Sequence, residues 1–490
     1  MTNRVVLHPR AAPSDRLRVW LGVLLQQEEP KLTWYLDGAV TEPSPVRNLT
    51  RAYRHYRQPG YTGVMTGVYE FPGLEQGTIH RVQVRLGDAD YSDVLQTRTL
   101  PEKLGNEPFR VLLGSCFAYE TDRTGLASQL VTGLRPQPDL TFLVGDQVYL
   151  DQPVFESFTG DEATLAQRFE AKYLANWTIP AGAPTGYARI LDAAPSASIP
   201  DDHEFWNNFP EVSVAVPATI REKVRKSWTS AALTMYEAFQ RNDSTTRSEI
   251  IDIDPLSFFL MDNRTSRTGT RTMSKRTLAE FGEWTSRVAR SRTIPVLITG
   301  PSIFQDKRSH FAAEILDSNL ANYQDFKDIM DGLKMMAQSG KTVLLLTGDV
   351  HYARILQADL KVTQLSGPGG SMYEVISSPT SLVNMPLLDQ WSDAARRVRN
   401  FLRRKPIPAA RWKKALVPGE GKTLAHFSSD LRFQTKYPTD RETQRGDHVA
   451  ILSFRRTNLG VKLIVTYHAV SKPETNGNRL GDTPVEISLS

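Results

Sequence analysis

Four short apolar segments, each bounded by small or polar residues, constrain the fold of this 490-residue chain more than any other feature. They occupy residues 109–114, 141–145, 294–300 and 342–348. Segments of this length and composition are typical of strands that are buried on both faces of a sheet. Because such strands need a covering layer on each side, they predict the interior of a layered α/β domain.

Helix-like segments lie between these strands and can supply the covering layers. Apolar side chains recur every three or four positions in residues 275–292 and again in residues 323–336. That spacing places the apolar side chains on one face of an α-helix. The alternation of strands and helices therefore predicts the α/β fold class.

The first 104 residues follow a different pattern. Their β-like stretches alternate with turn residues and occupy positions 16–24, 31–36, 64–71 and 80–86. Short strands with regular turns predict a β-sandwich. We therefore expect an N-terminal β-sandwich domain over residues 1–104, acting as a packing or recognition module, and a second domain over residues 105–490.

Composition excludes several classes of protein. With 40% hydrophobic and 23% charged residues, the chain is not a disordered, collagen-like or coiled-coil protein. A net charge of +5 is too small to indicate nucleic-acid binding by itself. No segment reaches the roughly 20 apolar residues of a membrane span, and no apolar signal core follows Met1. These features predict a cytoplasmic protein, with export by means of a removed leader as the alternative.

Polar residues collect where apolar segments end. Ligands bind at the carboxyl ends of strands in α/β sheets, so we expect these residues to share one site. A single Gly-Asp pair would be an ordinary turn, and an acidic loop alone would be a solvated one. The agreement of five segments favours a functional site. The five motifs are Gly-Ser-Cys at 114–116, Gly-Asp-Gln-Val-Tyr at 145–149, Asp-Asp-His-Glu at 201–204, Asp-Asn-Arg at 262–264 and Gly-Asp-Val-His at 348–351.

The carboxylates in these motifs indicate bound metal ions. Three carboxylates and an imidazole lie within residues 201–204, and like charges that pack together need a positive charge to offset them. Oxygen and imidazole ligands suit hard and borderline divalent or trivalent ions. Two such ions a few ångströms apart can activate a water molecule and stabilise the leaving oxygen of a phosphoryl transfer.

In this order, the five motifs resemble those of the PhoD-like phosphatases, the alkaline phosphatase D relatives within the metallophosphoesterase superfamily. The resemblance runs from about residue 108 to residue 383 and continues to residues 445–450, which are typical of a closing strand. It implies a metallophosphoesterase-like, layered β-sandwich core flanked by helices, with a small all-β sandwich domain before it. It also implies that residues 105–490 form the catalytic domain and hydrolyse phosphate mono- or diesters with a metal-bound hydroxide.

The resemblance further implies a site that holds iron and calcium, with other divalent metals as alternatives. It makes Cys116, the one cysteine of the chain, a thiolate ligand, although a lone cysteine read alone is a small buried hydrophobic residue. His203 takes the position of a general acid near the leaving group. The metal ligands that it implies are Cys116, Asp146, Tyr173, Asp202, Asn207, Asp349 and His351.

Three of the site residues that the resemblance implies have alternative assignments. Tyr173 is the preferred tyrosine ligand, Tyr149 is its rival, and either can instead be a buried structural tyrosine. Asn208 is the alternative to Asn207. Arg264, which follows Asp-Asn where the family commonly has Asp-Thr, is expected as a substrate-binding residue that clamps a phosphate, or else as a partner of the preceding aspartate.

Two functional classes follow from the sequence. The first is a phosphoesterase that acts on a small or polymeric phosphate ester, with a nucleotide or nucleic-acid phosphodiesterase as a variant that uses the same metals. The second is a non-catalytic binding protein that retains a metal site. All five motifs keep suitable metal donors, which favours the enzyme.

Residues 391–415 form a basic segment within an insertion at about 384–425. They contain nine basic residues and one acidic residue, so the remainder of the chain has a net charge of −3. The segment is either a solvated amphipathic helix or a rim that attracts an anionic substrate. It permits nucleic acid as a partner without favouring it.

Overall fold

The computed structural model describes most of the chain. No helix within the described ranges is long and apolar enough to span a lipid bilayer. The basic segment 391–415 and the insertion 384–425 that contains it lie outside the described residues. The described residues are 4–24, 31–55, 63–87, 92–153, 158–179, 185–213, 216–243, 248–303, 320, 323–349, 351, 353–360, 370–381, 431–435, 447–470 and 484–490.

Strands dominate the described residues. The strands are β1 (Arg4–Arg10), β2 (Arg16–Leu24), β3 (Leu32–Leu36), β4 (Ala39–Val40), β5 (Ser44–Arg51), β6 (Val64–Pro72), β7 (Ile79–Leu86), β8 (Ser92–Arg98), β9 (Phe109–Gly114), β10 (Leu140–Val144), β11 (Ser196–Ile199), β12 (Glu249–Ile253), β13 (Leu256–Leu260), β14 (Ile294–Ile298), β15 (Val343–Thr347), β16 (Arg354–Leu360), β17 (Ser371–Ile376), β18 (Leu431–Thr435), β19 (His448–Thr457), β20 (Gly460–Ala469) and β21 (Val485–Leu489). The helices are α1 (Leu126–Gly133), α2 (Glu162–Trp177), α3 (Ala188–Asp192), α4 (Glu222–Phe239), α5 (Lys275–Ala289) and α6 (Phe326–Gln338).

Two large sheets form the centre of the molecule. The ten-stranded sheet has the order β21-β20-β19-β9-β10-β11-β1-β2-β6-β5, and the seven-stranded sheet has the order β12-β13-β14-β15-β17-β16-β18. Strands β9, β10 and β11 are parallel in the first sheet, and β13, β14, β15 and β17 are parallel in the second. Several polar motifs therefore emerge from the carboxyl edges of neighbouring parallel strands.

Buried side chains between and outside these sheets make four layers. Residues such as Phe142, Phe258 and Phe454 fill the space between the two sheets. Helices α5 and α6 cover the outer face of the seven-stranded sheet, and α1 to α4 pack on the ten-stranded one. Since each β strand in the centre is covered on both faces, the predicted α/β class with a helix-flanked β-sandwich is confirmed.

The N-terminal strands form a small β-sandwich that shares the large sheet. Strands β4, β3, β7 and β8 make a separate four-stranded sheet, whose core residue Val84 packs with Val19 of β2. Strands β1, β2, β6 and β5 instead extend the ten-stranded sheet, because β1 pairs with β11 at Arg10 and Ser196. The expected all-β sandwich is present and is continuous with the main sheet. The domain boundary at residue 104 remains a prediction.

Most strands predicted from the sequence agree with the structure. The stretches 16–24 and 109–114 coincide with β2 and β9, and the predicted helix at 275–292 corresponds to α5. Strand β19 begins at His448, within the segment expected to close the main domain. The short apolar runs were predicted well because double-sided burial demands a nearly continuous apolar sequence.

Gly348 allows the carboxyl ends of the two sheets to approach each other. A Cβ atom at this position would lie 2.5 Å from Ser115 Oγ and 2.8 Å from the Val144 carbonyl oxygen. Val144 lies in β10 of the ten-stranded sheet and Ser115 lies in the loop after β9 of that sheet. Gly348 follows β15 of the seven-stranded sheet. Because Gly348 has no side chain, the two sheet edges can come this close to each other.

We predict that Gly348→Ala lowers the free energy of unfolding by about 1–3 kcal/mol, since backbone must move to admit the methyl group. Gly282→Ala is the matched control, because a Cβ atom there, in helix α5, would meet no atom within 4 Å. The control should stabilise the protein by up to about 1 kcal/mol through helix propensity. Urea denaturation followed by tryptophan fluorescence measures both. Equal stability of the two variants would contradict the close approach.

Candidate metal centre

The carboxyl ends of the two sheets bring the five sequence motifs into one buried cluster. The Cys116 amide donates to the Gly145 carbonyl oxygen at 3.0 Å, and the Gly348 amide donates to the Gly300 carbonyl oxygen at 2.8 Å. Gly145 and Gly300 both pack against the Asp201 side chain. The loops after β9, β10, β11, β14 and β15 therefore meet at one point.

Left-handed backbone marks this cluster. Among the described non-glycine residues outside the cluster, positive φ occurs only at Asp37. Each such residue costs about 1–2 kcal/mol relative to ordinary backbone. Backbone strain of this kind persists where surrounding structure imposes it, and it concentrates at functional sites. The five cluster residues with positive φ are Cys116 (56°), Asp146 (58°), Asn208 (66°), Asp349 (66°) and His351 (55°).

Cys116 and Asp146 lie together at the floor of the cluster. Cys116 Sγ donates to Asp146 Oδ2 at 3.4 Å, and Ser378 Oγ donates to Cys116 Sγ at 3.2 Å. Burial and the nearby Asp349 carboxylate raise the pKa of the Cys116 thiol to about 12. Burial and Cys116 also raise the pKa of Asp146. Burial and neighbouring negative charge therefore both disfavour the anionic forms of these two groups.

Two groups of acidic and histidine side chains are close enough to hold a metal ion. One contains Asp146, Asp202 and His203, and the other contains Asp201, Asp202 and Asp349. Within each group, the potential ligand atoms lie within 4.8 Å of one another. Asp202 belongs to both groups, so the two sets of ligand atoms adjoin each other.

His351 lies beside this cluster as a neutral imidazole. Burial and the positive charge of His203 lower the pKa of His351 to about 4. Its amide donates to Ser378 Oγ at 3.2 Å, and Ser378 also contacts Cys116. A neutral imidazole is the form that ligates metal ions.

Glu204, the last residue of the Asp-Asp-His-Glu motif, holds the loops together, a role that its place in the motif did not indicate. Its carboxylate accepts hydrogen bonds from the backbone amides of Asp146, Gln147 and Asp201 at 2.7–2.8 Å, and from Gln240 Nε2 at 3.0 Å. Burial raises the pKa of Glu204 to about 7, although these hydrogen bonds act in the opposite direction. The side chain is therefore engaged in fixing the backbone of two motifs.

Asp151 is a second site residue that sequence reasoning missed. Its carboxylate oxygens lie 2.8 and 3.0 Å from His203 Nδ1, and Oδ2 also accepts the Asn207 amide at 2.8 Å. Burial lowers the pKa of His203, but the carboxylates of Asp151, Asp202 and Asp146 outweigh it and leave the pKa raised. The sequence feature that could have indicated Asp151 is its position five residues after Asp146, in the loop that follows the same strand.

The Arg264 side chain forms a buried ion pair with Asp201. Its Nε donates to Asp201 Oδ1 at 2.5 Å, and its Nη1 donates to the Phe209 carbonyl oxygen at 3.0 Å. Asp262 accepts the Arg264 backbone amide instead of pairing with its guanidinium group. Burial raises the pKa of Asp201 to about 7, and the arginine opposes this effect. A direct contact of Arg264 with substrate stays a prediction.

The structure separates the two candidate tyrosines. Tyr149 packs against the His203 ring at 4.2 Å, and its buried hydroxyl has no hydrogen-bond partner. Burial raises its pKa, as do the neighbouring Cys116 and Asp146. Tyr173 instead accepts a hydrogen bond from Gln240 Nε2 at 3.2 Å and stacks on Phe239. Tyr149 therefore lies in the cluster. Tyr173 lies outside it and is linked to Glu204 through Gln240 Nε2, which donates to both side chains.

Asn207 and Asn208 border the cluster in different ways. The Asn208 amide donates to Asp202 Oδ2 at 2.6 Å. The Asn207 side-chain oxygen accepts from Asn208 Nδ2 at 3.0 Å and from Ser213 Oγ at 3.2 Å. Ligation by either asparagine remains a prediction.

The donor set of the cluster fits a metal ion. Packed carboxylates and a thiol need a nearby cation to be stable in their anionic forms, and a neutral imidazole can ligate such a cation. The orphaned Tyr149 hydroxyl and the orphaned Asp201 Oδ2 are both buried. Unpaired buried polar atoms of this kind need a partner that the protein does not supply.

We predict that Arg264→Ala lowers the free energy of unfolding by about 3–5 kcal/mol, because it leaves the buried Asp201 without its cation. The control is Arg287→Ala, whose ion pair with Asp252 is about half exposed and is worth less than about 1 kcal/mol. Urea denaturation at neutral pH measures both variants. A similarly small decrease in the free energy of unfolding of both variants would show that the Arg264–Asp201 pair does not stabilise the fold.

Comparisons with known proteins agree with this geometry at the level of the fold. No protein-family description matches the sequence, and no curated protein sequence matches it. A solved structure titled "Structure of PhoD" superposes with a TM-score of 0.55 at 14% identity, covering 99% of this chain and 88% of that one. An amylomaltase from Corynebacterium glutamicum gives a TM-score of 0.15, too low to indicate a shared fold. The chain has the PhoD-like fold that its motifs indicate.

Proposed function

We propose that this protein is a metal-dependent phosphoric ester hydrolase. The observation that carries the proposal is the buried convergence of Asp146, Asp202, Asp349 and His203 at the carboxyl ends of two parallel strand sets. The PhoD-like fold supports the same reaction class. Fold alone does not define chemistry, so the assignment of a reaction depends on the side chains of the site.

Two adjoining ion positions account for the residues. Cys116 and Asp146, whose side chains are in contact, would hold one ion together with Asp202, and Asp202 with Asp201 and Asp349 favours a second. His351 is proposed as a further ligand from the neighbouring loop. Thiolate and imidazole donors suit iron, and carboxylate-rich surroundings suit calcium or another hard divalent ion. When bound, the ions would offset the buried negative charge, activate water and stabilise charge on the phosphoryl oxygens.

Tyr149 is the tyrosine that we assign to this site in preference to Tyr173. Its hydroxyl is buried without a partner beside the thiol and carboxylate of the cluster. Tyr173 already has a partner in Gln240 and lies in an aromatic environment. A phenolate ligand would satisfy the orphaned Tyr149 oxygen.

His203 is assigned as the proton donor to the leaving group. A carboxylate only accepts hydrogen bonds, so Asp151 fixes the Nδ1–H tautomer of His203. Nε2 on the opposite side of the ring can then hold the proton that passes to the departing oxygen. Asp151 orients this imidazole and does not itself contact substrate. Glu204 and Arg264 fix the positions of Asp146 and Asp201 from outside the ligand set.

We expect purified protein to hydrolyse 4-nitrophenyl phosphate or bis(4-nitrophenyl) phosphate, and a chelator to abolish this activity. Asp146→Asn should lower kcat/KM by more than about a hundredfold, since loss of an outer partner of a metal site alone costs 10–100-fold. The control is Asp139→Asn, at the opposite end of the same strand, where the carboxylate pairs with Arg98. Absence of chelator-sensitive release from both esters would contradict the proposal.

The tyrosine assignment has a spectroscopic test. Iron bound by phenolate or thiolate gives a visible absorption band, which Tyr149→Phe should shift or remove and Tyr173→Phe should leave unchanged. Metal analysis accompanies each spectrum, so that loss of iron is distinguished from loss of the ligand. A colourless, iron-free protein with full activity would reject iron and keep the hydrolase. Loss of the band only in Tyr173→Phe would reverse the assignment.

A further inference from the structure

The segment that follows β17 contains a serine that contacts the metal centre without belonging to its proposed ligands. Ser378 lies two residues beyond the end of β17 in the seven-stranded sheet, and its side chain is completely buried. Cys116 lies in the loop after β9 of the ten-stranded sheet. The Ser378 hydroxyl therefore contacts a side chain that comes from the facing sheet.

The Ser378 hydroxyl uses both its acceptor and its donor on residues proposed as metal ligands. Its oxygen accepts the His351 backbone amide at 3.2 Å. Its proton is donated to Cys116 Sγ, also at 3.2 Å. Because a serine hydroxyl has a single proton to donate, the contact with sulfur occupies it. One hydroxyl thus links the Cys116 side chain to the loop that carries His351.

Backbone pairing holds Ser378 next to the sulfur. The Thr380 amide donates to the Ser115 carbonyl oxygen at 2.7 Å, and the Ser381 amide donates to the Cys116 carbonyl oxygen at 3.0 Å. These bonds join the segment after β17 to the loop after β9. The two segments therefore lie side by side, which keeps the hydroxyl within hydrogen-bond distance of the sulfur.

A hydrogen bond to a ligating sulfur changes the properties of that ligand. Cysteine binds metal ions as the thiolate, and hydrogen bonds to an ionised acceptor are stronger than those to a neutral one. Such a bond withdraws electron density from the sulfur and restricts its orientation. In iron–sulfur centres, hydrogen bonds to the cysteine sulfurs are among the features that set the reduction potential.

We propose that Ser378 is a positioning residue of the metal centre, whose hydroxyl orients the Cys116 sulfur, lowers its electron donation and anchors the loop that carries His351. The inference rests on the proposed function, because it requires Cys116 to bind a metal ion. Ser378 acts through these two residues and is not itself a ligand.

Titration of the metal-free, full-length protein with Co²⁺ tests this role. Thiolate-bound Co²⁺ has a charge-transfer band in the near ultraviolet, and the chain has one cysteine, so this band reports Cys116 alone. Ser378→Ala should move the band to longer wavelength, because sulfur without the hydrogen bond gives up charge more readily. It should also weaken Co²⁺ binding by about 10–100-fold, as loss of an outer partner does at other metal sites. Ser378→Thr, which retains the hydroxyl, should restore the band position.

Ser377→Ala is the matched control. Ser377 is equally buried, and its hydroxyl donates to the Leu113 carbonyl oxygen at 3.0 Å, so it joins the same two sheets without touching a proposed ligand. The control should leave the band position and the Co²⁺ affinity unchanged. An unshifted band in Ser378→Ala, or an equal shift in both alanine variants, would overturn the proposal and leave the proposed hydrolase intact. Wild-type protein that binds no Co²⁺, or binds it without the band, would instead overturn the metal role of Cys116 and this inference with it.

A further measurement does not depend on any variant. The cobalt–sulfur stretching frequency of the wild-type protein, measured by resonance Raman scattering, should change on exchange into D₂O, because the hydroxyl proton on the sulfur is replaced by deuterium. An unchanged frequency would overturn the proposal even if Ser378→Ala does not fold.

Discussion

Burial of several carboxylates at one junction is the constraint on which the rest of this structure depends. Asp146, Asp201, Asp202 and Glu204 are almost entirely removed from solvent, and their negative charges repel one another in a medium that screens them weakly. The protein offsets part of this charge with Arg264 and part with backbone amides that point at Glu204. Burial, together with the remaining negative charge, raises the pKa values of Cys116 and Asp146, and the negative charge makes the cluster suitable for cations.

The fold supplies the positions that this electrostatic arrangement needs. Parallel strands in two facing sheets end at the same edge, and Gly348 lets the two edges meet at a distance that a side chain would prevent. Gly145 does the same for the neighbouring loops after β10 and β11 of one sheet. Glu204 then ties the loop after β10 to the loop after β11. The left-handed backbone at five cluster residues is the local cost of directing these side chains to one point. The N-terminal strands extend the same sheet, and Trp20 Nε1 and Arg47 Nη2 donate to the Ala238 carbonyl oxygen at the end of α4.

Sequence reasoning singled out several residues that the structure brings together, and it missed contacts that act across loops. Cys116, Asp146, Asp202 and Asp349 stand directly after apolar strands, so their convergence followed from the fold class. Asp151 carries no distinct signal, and the role of Glu204 could not be read from its motif, because both roles depend on backbone amides and a ring that are distant in sequence. The choice between Tyr173 and Tyr149 was not decidable from position in the chain. It depends on which hydroxyl already has a partner, and Gln240 provides one for Tyr173.

The sequence by itself determined the layered α/β class, the strand edges and the chemical types available at the site. It did so because strands that are buried on both faces require runs of apolar residues. Polar residues that could form a site can therefore occur only beyond the ends of these runs. Tertiary structure decided which charges neutralise each other. Arg264 pairs with Asp201 and not with its neighbour Asp262, since only the packed loops bring the guanidinium group within hydrogen-bond distance of Asp201.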